Sequence, residues 1–188
     1  NVATVDVSTS GSLGAAGAPF AISNAQHVSV KTGQDAYVTT TNEPISLNIN
    51  AGGAAQLNAS GEVAKLGVQI VAQGDAIIVS SGSLTLTAGS SLESKTGSIK
   101  VVAANDIIAS GTALVAQSAI MQAGGAIKGE NTVNPAPITV AGELQLKASE
   151  GIGGFDYNRV LLQFNGPSSA VSAFNGTHGD VVIAGVDG

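Results

Sequence analysis

The chain has 188 residues, enough for one well-buried domain, and carries a net charge of −6 with a pI near 4.6. Its six lysines and single Arg159 are scattered, which excludes the clustered basic footprint that nucleic acid requires, and no apolar run reaches the ~18–20 residues of a membrane-spanning helix. Cysteine is absent, so disulfides, thiolate metal sites and cysteine nucleophiles are excluded too.

The first run, Val2 to Ser8, alternates apolar and polar residues and reads as a strand. It opens the chain without an initiator Met, which points to residues 1–188 as a segment of something longer. A Gly-rich turn covers residues 11–17. Three short strands follow, at Pro19–Ile22, Val28–Val30 and Ala36–Val38, split by polar corners. Glu43-Pro44 breaks the chain before Ile45–Ile49, and Gly52-Gly53 turns it into Ala55–Ala59.

The most regular zone begins near Val68. Strands start at almost even intervals, at Val68, Leu84, Ile99 and Leu114, with shorter apolar pieces at Ala76–Val79, Leu92 and Ile107–Ala109 between them. Inside this zone one phrase occurs twice, as Gly82-Ser83-Leu84-Thr85-Leu86-Thr87-Ala88 and as Gly97-Ser98-Ile99-Lys100-Val101-Val102-Ala103. A turn-strand unit recurring at short interval is the signature of a solenoid. Each unit spans about 7–8 residues, and three of them predict a coil of about 20–23. No window supports a 3.6-residue apolar period, so helix is not expected. Charged residues are 11% where ordinary domains carry roughly 25%, and aromatics are 3%. A narrow core of Val, Ile, Leu and Ala is expected, with Leu84, Leu86, Ile99, Val101, Ile107 and Val182 pointing inward. The fold class is therefore all-β, a single-domain parallel β-helix. About 20 residues per coil would give roughly nine coils and a rod on the order of 40–45 Å.

A longer cassette punctuates the chain, reading apolar-Gly, polar loop, short strand, turn, short strand. It occurs as Leu13-Gly14 with Pro19–Ile22 and Val28–Val30. It recurs as Ile127-Lys128-Gly129 with Pro137–Val140 and Leu144–Ala148. A third copy is Ile152-Gly153 with Val160–Leu162, Ala170–Ala173 and Asp180–Ile183. Ile152-Gly153-Gly154 and Gly179-Asp180-Val181-Val182-Ile183 carry it best. The pattern resembles the repetitive shaft of the large bacterial exoproteins similar to filamentous haemagglutinin, which are two-partner-secreted adhesins. The resemblance covers most of the chain, but no segment matches that family's amino-terminal secretion domain. It implies a right-handed β-helix, an extracellular or cell-surface location, and a structural role in adhesion, filaments or biofilm.

Candidate chemistry is sparse. The closest acidic neighbours, Glu150 and Asp156, stand six apart, and neither calcium-loop spacing nor a G-x-S-x-G elbow occurs. His27 and His178 read as exposed turn residues. Stacking could still join distant carboxylates, for instance Asp75 and Glu93. No cofactor, metal or catalytic residue is assigned. The most site-like segment is Phe155-Asp156-Tyr157-Asn158-Arg159, where Phe155, Tyr157 and Arg159 suit contact with a glycan or protein partner; the plainer reading is that the rings cover a coil end. Alternatives to the shaft are a glycan-active enzyme on the same scaffold and a self-assembling fibre. End-to-end contact between copies is expected through Val2–Val7 at one end and Val181–Val186 at the other.

Overall fold

The computed structural model describes residues 3–41, 46–61, 63–130, 136–154, 158–165 and 169–185. Among them there is no helix, and about 63% of these described residues are in strands or bridges. All of the strand ladders are parallel, and the strands stack into a β-solenoid of about seven turns.

Two strand faces run the length of the stack, and a third joins them from Val63 onward. The first stacks β1 (Thr4–Thr9), β3 (His27–Thr32), β5 (Ser46–Ala51), the second part of β7 (Val63–Ala72), β10 (Ser91–Ser94), the starts of β13 (Ala113–Ala123) and β15 (Ile138–Ala148), β16 (Val160–Phe164) and β18 (Ile183–Gly185). The second stacks β2 (Phe20–Ile22), β4 (Ala36–Thr40), β6 (Ala55–Ala59), β8 (Ala76–Ser80), β11 (Ser98–Ala103), the ends of β13 and β15, and β17 (Ala170–Asn175). The third, shortest face begins with the start of β7 and continues through β9 (Ser83–Leu86), β12 (Ile107–Ala109) and β14 (Ile127–Lys128) to bridges at Ile152 and Val181.

The register explains the sequence repeat. In the regular zone Ile70 pairs with Leu92 and Leu92 with Leu114, so each coil holds three strand units and has the expected length. The two copies of the Gly-Ser phrase do not stack on each other. Leu84 of the first pairs with Ile107 on the third face, while Ile99 of the second pairs with Ala76 on the second. The interval between the copies is two strand units, so the phrase advances two faces, or two-thirds of a coil.

Coil length varies more than the sequence suggests. The pairing of Phe20 with Val38 marks the short extreme, and the bridge from Ile152 to Val181 the long one. The later coils are the long ones, with Glu143 pairing Ala170 and Ala113 pairing Thr139. The second face makes seven steps and the first eight, so at ~4.8 Å per step the stack measures about 34–38 Å, short of the expected 40–45 Å.

The core is a set of aliphatic columns running along the axis. Val30, Ile49, Ile70, Leu92, Leu114 and Val140 line the first face; Val38, Leu57, Ile78, Val101, Met121 and Leu146 line the second; Leu84, Ile107, Ile127 and Ile152 line the third. Aliphatic side chains fill this narrow interior without rings. Leu84, Leu86, Ile99, Val101 and Ile107 are buried as expected. Val182 is not: Val181 bridges Ile152, and Val182, one position on, is only half-buried. A one-residue slip exchanges the inner and outer sets of a strand.

Corners carry inward hydroxyls that satisfy turn backbone. The Ser94 hydroxyl donates to the Gly74 carbonyl (2.8 Å), and that of Ser90 to the Thr87 carbonyl (2.7 Å). The second cassette forms one coil and stacks on the first three elements of the third, through Ile127↔Ile152, Ile138↔Leu162 and Leu144↔Val171, while the third cassette's last element, Asp180–Ile183, begins the next coil. Their glycines are required by this stacking. A Cβ at Gly129 would overlap the Arg159 carbonyl, and one at Gly153 the Val182 carbonyl. The first cassette differs: Leu13 and Phe20–Ile22 both lie against β4, with the intervening loop closed by the Ala15↔Ala18 bridge.

Candidate functional site

The sequence-derived contact segment is only partly visible. Phe155 and Tyr157 lie outside the described residues. Arg159 is exposed just before β16, on the backbone that crosses Gly129, where the Gly129 N–H donates to the Asn158 carbonyl (3.2 Å). Nothing in the described residues brings Arg159 together with a second binding group.

The histidines divide. His178 is exposed in the turn after β17, its Nδ1 3.2 Å from Thr177 Oγ1. His27 is not a turn residue. It is the first residue of β3, half-buried, with Nδ1 2.8 Å from Ser46 Oγ on the adjacent coil.

The acidic residues are organised by backbone. Asp35 Oδ1 accepts the Ala54 N–H (2.8 Å), and Asp106 Oδ1 accepts the Ala126 N–H (2.8 Å). Asp75 Oδ1 accepts both the N–H and the hydroxyl of Ser98 (2.8 and 3.1 Å). In each case a corner carboxylate reaches one coil onward and caps a turn donor that follows a glycine. Asp75 is committed to Ser98, while Glu93 stands on the first face opposite Val71, so the structure does not unite these two as a site. Asp106 also pairs with Lys128 (2.8 Å). Burial alone would raise its pKa; the Ala126 hydrogen bond and the Lys128 ammonium, by hydrogen bond and by charge, outweigh this and hold it below the ordinary value. No group of three or more His, Asp or Glu placed to hold a metal occurs among the described residues.

The feature that sequence reading missed lies on the second face, over the last three coils. Strand alternation turns Ser118, Ile120 and Gln122 of β13 outward. Glu143, Gln145 and Lys147 of β15 stack against them, and Ala170, Ser172 and Phe174 of β17 complete a three-by-three grid. Phe174 is 64% exposed. A cavity of about 370 Å³ lies along the first two columns of this grid. The grid depends on an irregularity: Ala116 and Gln117 bulge opposite the single Gly142, which has φ +113° and carries the chain round the corner without a break in β15. A Cβ at Gly142 would overlap the Ala116 carbonyl.

Comparison of the chain with protein-family models, with characterised proteins and with solved structures finds no match.

Proposed function

We propose that this chain is a non-catalytic shaft segment of a large extracellular bacterial surface adhesin or filament, acting in cell adhesion and biofilm. The observation that supports it is the coil-on-coil architecture, in which continuous aliphatic columns let each coil contact only its neighbours. A rod of this kind lengthens by adding coils without redesigning its core, which suits holding a binding surface away from a cell. The acidic side chains favour the non-catalytic reading over a β-helical glycosidase or lyase. Asp35, Asp75 and Asp106 are committed to corner N–H groups and do not converge.

A second reading, a subunit of a self-assembling extracellular fibre, draws on the end coils. Val171, Phe174 and Val181 are exposed at one end, and Val5 and Val7 only half-buried at the other. Val2 and Val186, included in the expected end contacts, lie outside the described residues. Antibodies against the segment should label intact cells of the source organism, and labelling only after permeabilisation would refute the surface role. Release of reducing ends from a polysaccharide panel would refute the non-catalytic reading. Concentration-dependent rods in electron microscopy would favour the fibre over the shaft.

A further inference from the structure

We propose that the outward grid of β13, β15 and β17 is a binding groove for a neutral oligosaccharide. The proposal deepens the adhesive reading and takes its biological setting from it.

The chemistry follows from the side chains. Ala119 and Leu144, also along the cavity, are buried, so the ligand-facing groups are their outward neighbours. Glu143 supplies two acceptor oxygens, Gln145 an acceptor and two donors, and Ser118 and Ser172 hydroxyls that serve as either. A ligand bearing many hydroxyls, each both donor and acceptor, matches such a mixture. Ile120 gives the apolar patch for a sugar's C–H face, and the Phe174 ring stands exposed at the next outward position after Ser172 on β17. A ring 64% exposed on a sheet face leaves most of its apolar area to water, area that stacking recovers.

Charge selects the neutral class. Glu143 and Lys147 are outward on the same strand with opposite sign, and the whole chain carries −6, which disfavours sulfated or uronic polymers. The site is built from three parallel strands stacked through backbone hydrogen bonds, with side chains repeating at ~4.8 Å across strands and about 6.7 Å along them. The groove is open and shallow, so affinity should be weak, near millimolar, and gain strength when many copies face a multivalent surface.

The test is a titration of the ¹⁵N-labelled chain with maltotetraose, cellotetraose, mannotetraose and chitotetraose, followed by amide shifts, with a heparin tetrasaccharide as the anionic arm. At least one neutral probe should give saturable shifts centred on residues 118–122, 143–147 and 170–174. Gln145→Ala and Phe174→Ala should each weaken it about five- to tenfold while leaving other amide positions unchanged. Both side chains point away from the core, so neither change threatens folding. No saturable shift at the grid, shifts confined elsewhere, tighter binding of the heparin probe, or binding undiminished in both variants would overturn the proposal. Those failures leave the shaft reading intact, because it rests on the coil-on-coil architecture and is tested separately by surface labelling.

Discussion

The corner aspartates and the glycines above them form interlocks whose strength a double-mutant cycle measures. At Gly125 an added Cβ would overlap Asp106 Oδ1, while its nearest backbone contact, the Asn105 carbonyl carbon, would stand at 3.3 Å. Gly125 has no positive φ, so alanine is conformationally allowed there. Gly125→Ala should therefore act by expelling the Asp106 carboxylate from the Ala126 N–H. That hydrogen bond to a charged acceptor stabilises by about 1.5–3 kcal/mol in general. Asp106 is part-exposed and its Lys128 pair is screened by solvent, so the low end applies, about 1.5–2 kcal/mol. For a chain this long the loss is roughly 3–8 °C in Tm. Asp106→Ala should lose a similar amount. In the double variant there is no carboxylate left to expel, so Gly125→Ala should then cost at most about 0.5 kcal/mol, offset by its lower unfolded-state entropy. The same rescue is expected at Gly53 with Asp35. It is not expected at Gly97, where a Cβ would also meet the Asp75 nitrogen and the Gly74 carbonyl carbon at 2.7 Å. Urea unfolding of the four proteins of each cycle is the assay. Additive losses at Gly53 and Gly125, or rescue at Gly97 equal to theirs, would refute the interlock.

Three further outcomes are expected. Ile99→Asp places a charge in a fully buried column between Ala76 and Ala119; it should cost several kcal/mol and abolish the cooperative melt, and a melt like the parent's would disprove the inward assignment. Asp106 has a depressed folded-state pKa, so its contribution is complete above the ordinary value of 3.8 and is lost as pH falls through the lower folded value. Asp106→Asn should flatten the stability loss in that acid window, and an unchanged slope in acid unfolding would count against the cause assigned to the shift. A chelator should leave Tm unchanged by calorimetry, and a large drop would reveal a metal site assembled between coils.

Strand existence and most inward positions were legible because alternation is a local property. Leu84, Leu86, Ile99 and Val101 face the core because each sits in a short strand whose parity is set by its own neighbours. The matching of the second and third cassettes was legible for the same reason: their first three elements follow in the same order round the coil, and equal positions stack. Val182 was not legible, because its parity depends on how the turn after β17 is accommodated in the long coil from Ile152 to Val181. The repeated Gly-Ser phrase was legible as a solenoid signal although its copies lie on different faces, because its interval is two strand units and the coil closes on three.

The same reasoning explains why the grid on β13, β15 and β17 could not be read in one dimension. Inward positions obey one rule, apolar and of the right size, and so leave a pattern. Outward positions obey none, and a face acquires meaning only when register sets residues side by side. Ser118, Glu143 and Ala170 come from successive coils of unequal length, and the bulge at Ala116-Gln117 shifts the pairing just before the first of them. A constant coil as short as the one from Ile70 to Leu92 would place Glu143 beside the wrong neighbour. In a solenoid, then, variation in coil length is the means by which ordinary residues such as Ser118, Gln145 and Phe174 become one surface. The irregular coils, where that variation concentrates, are the place to look for function along such a solenoid.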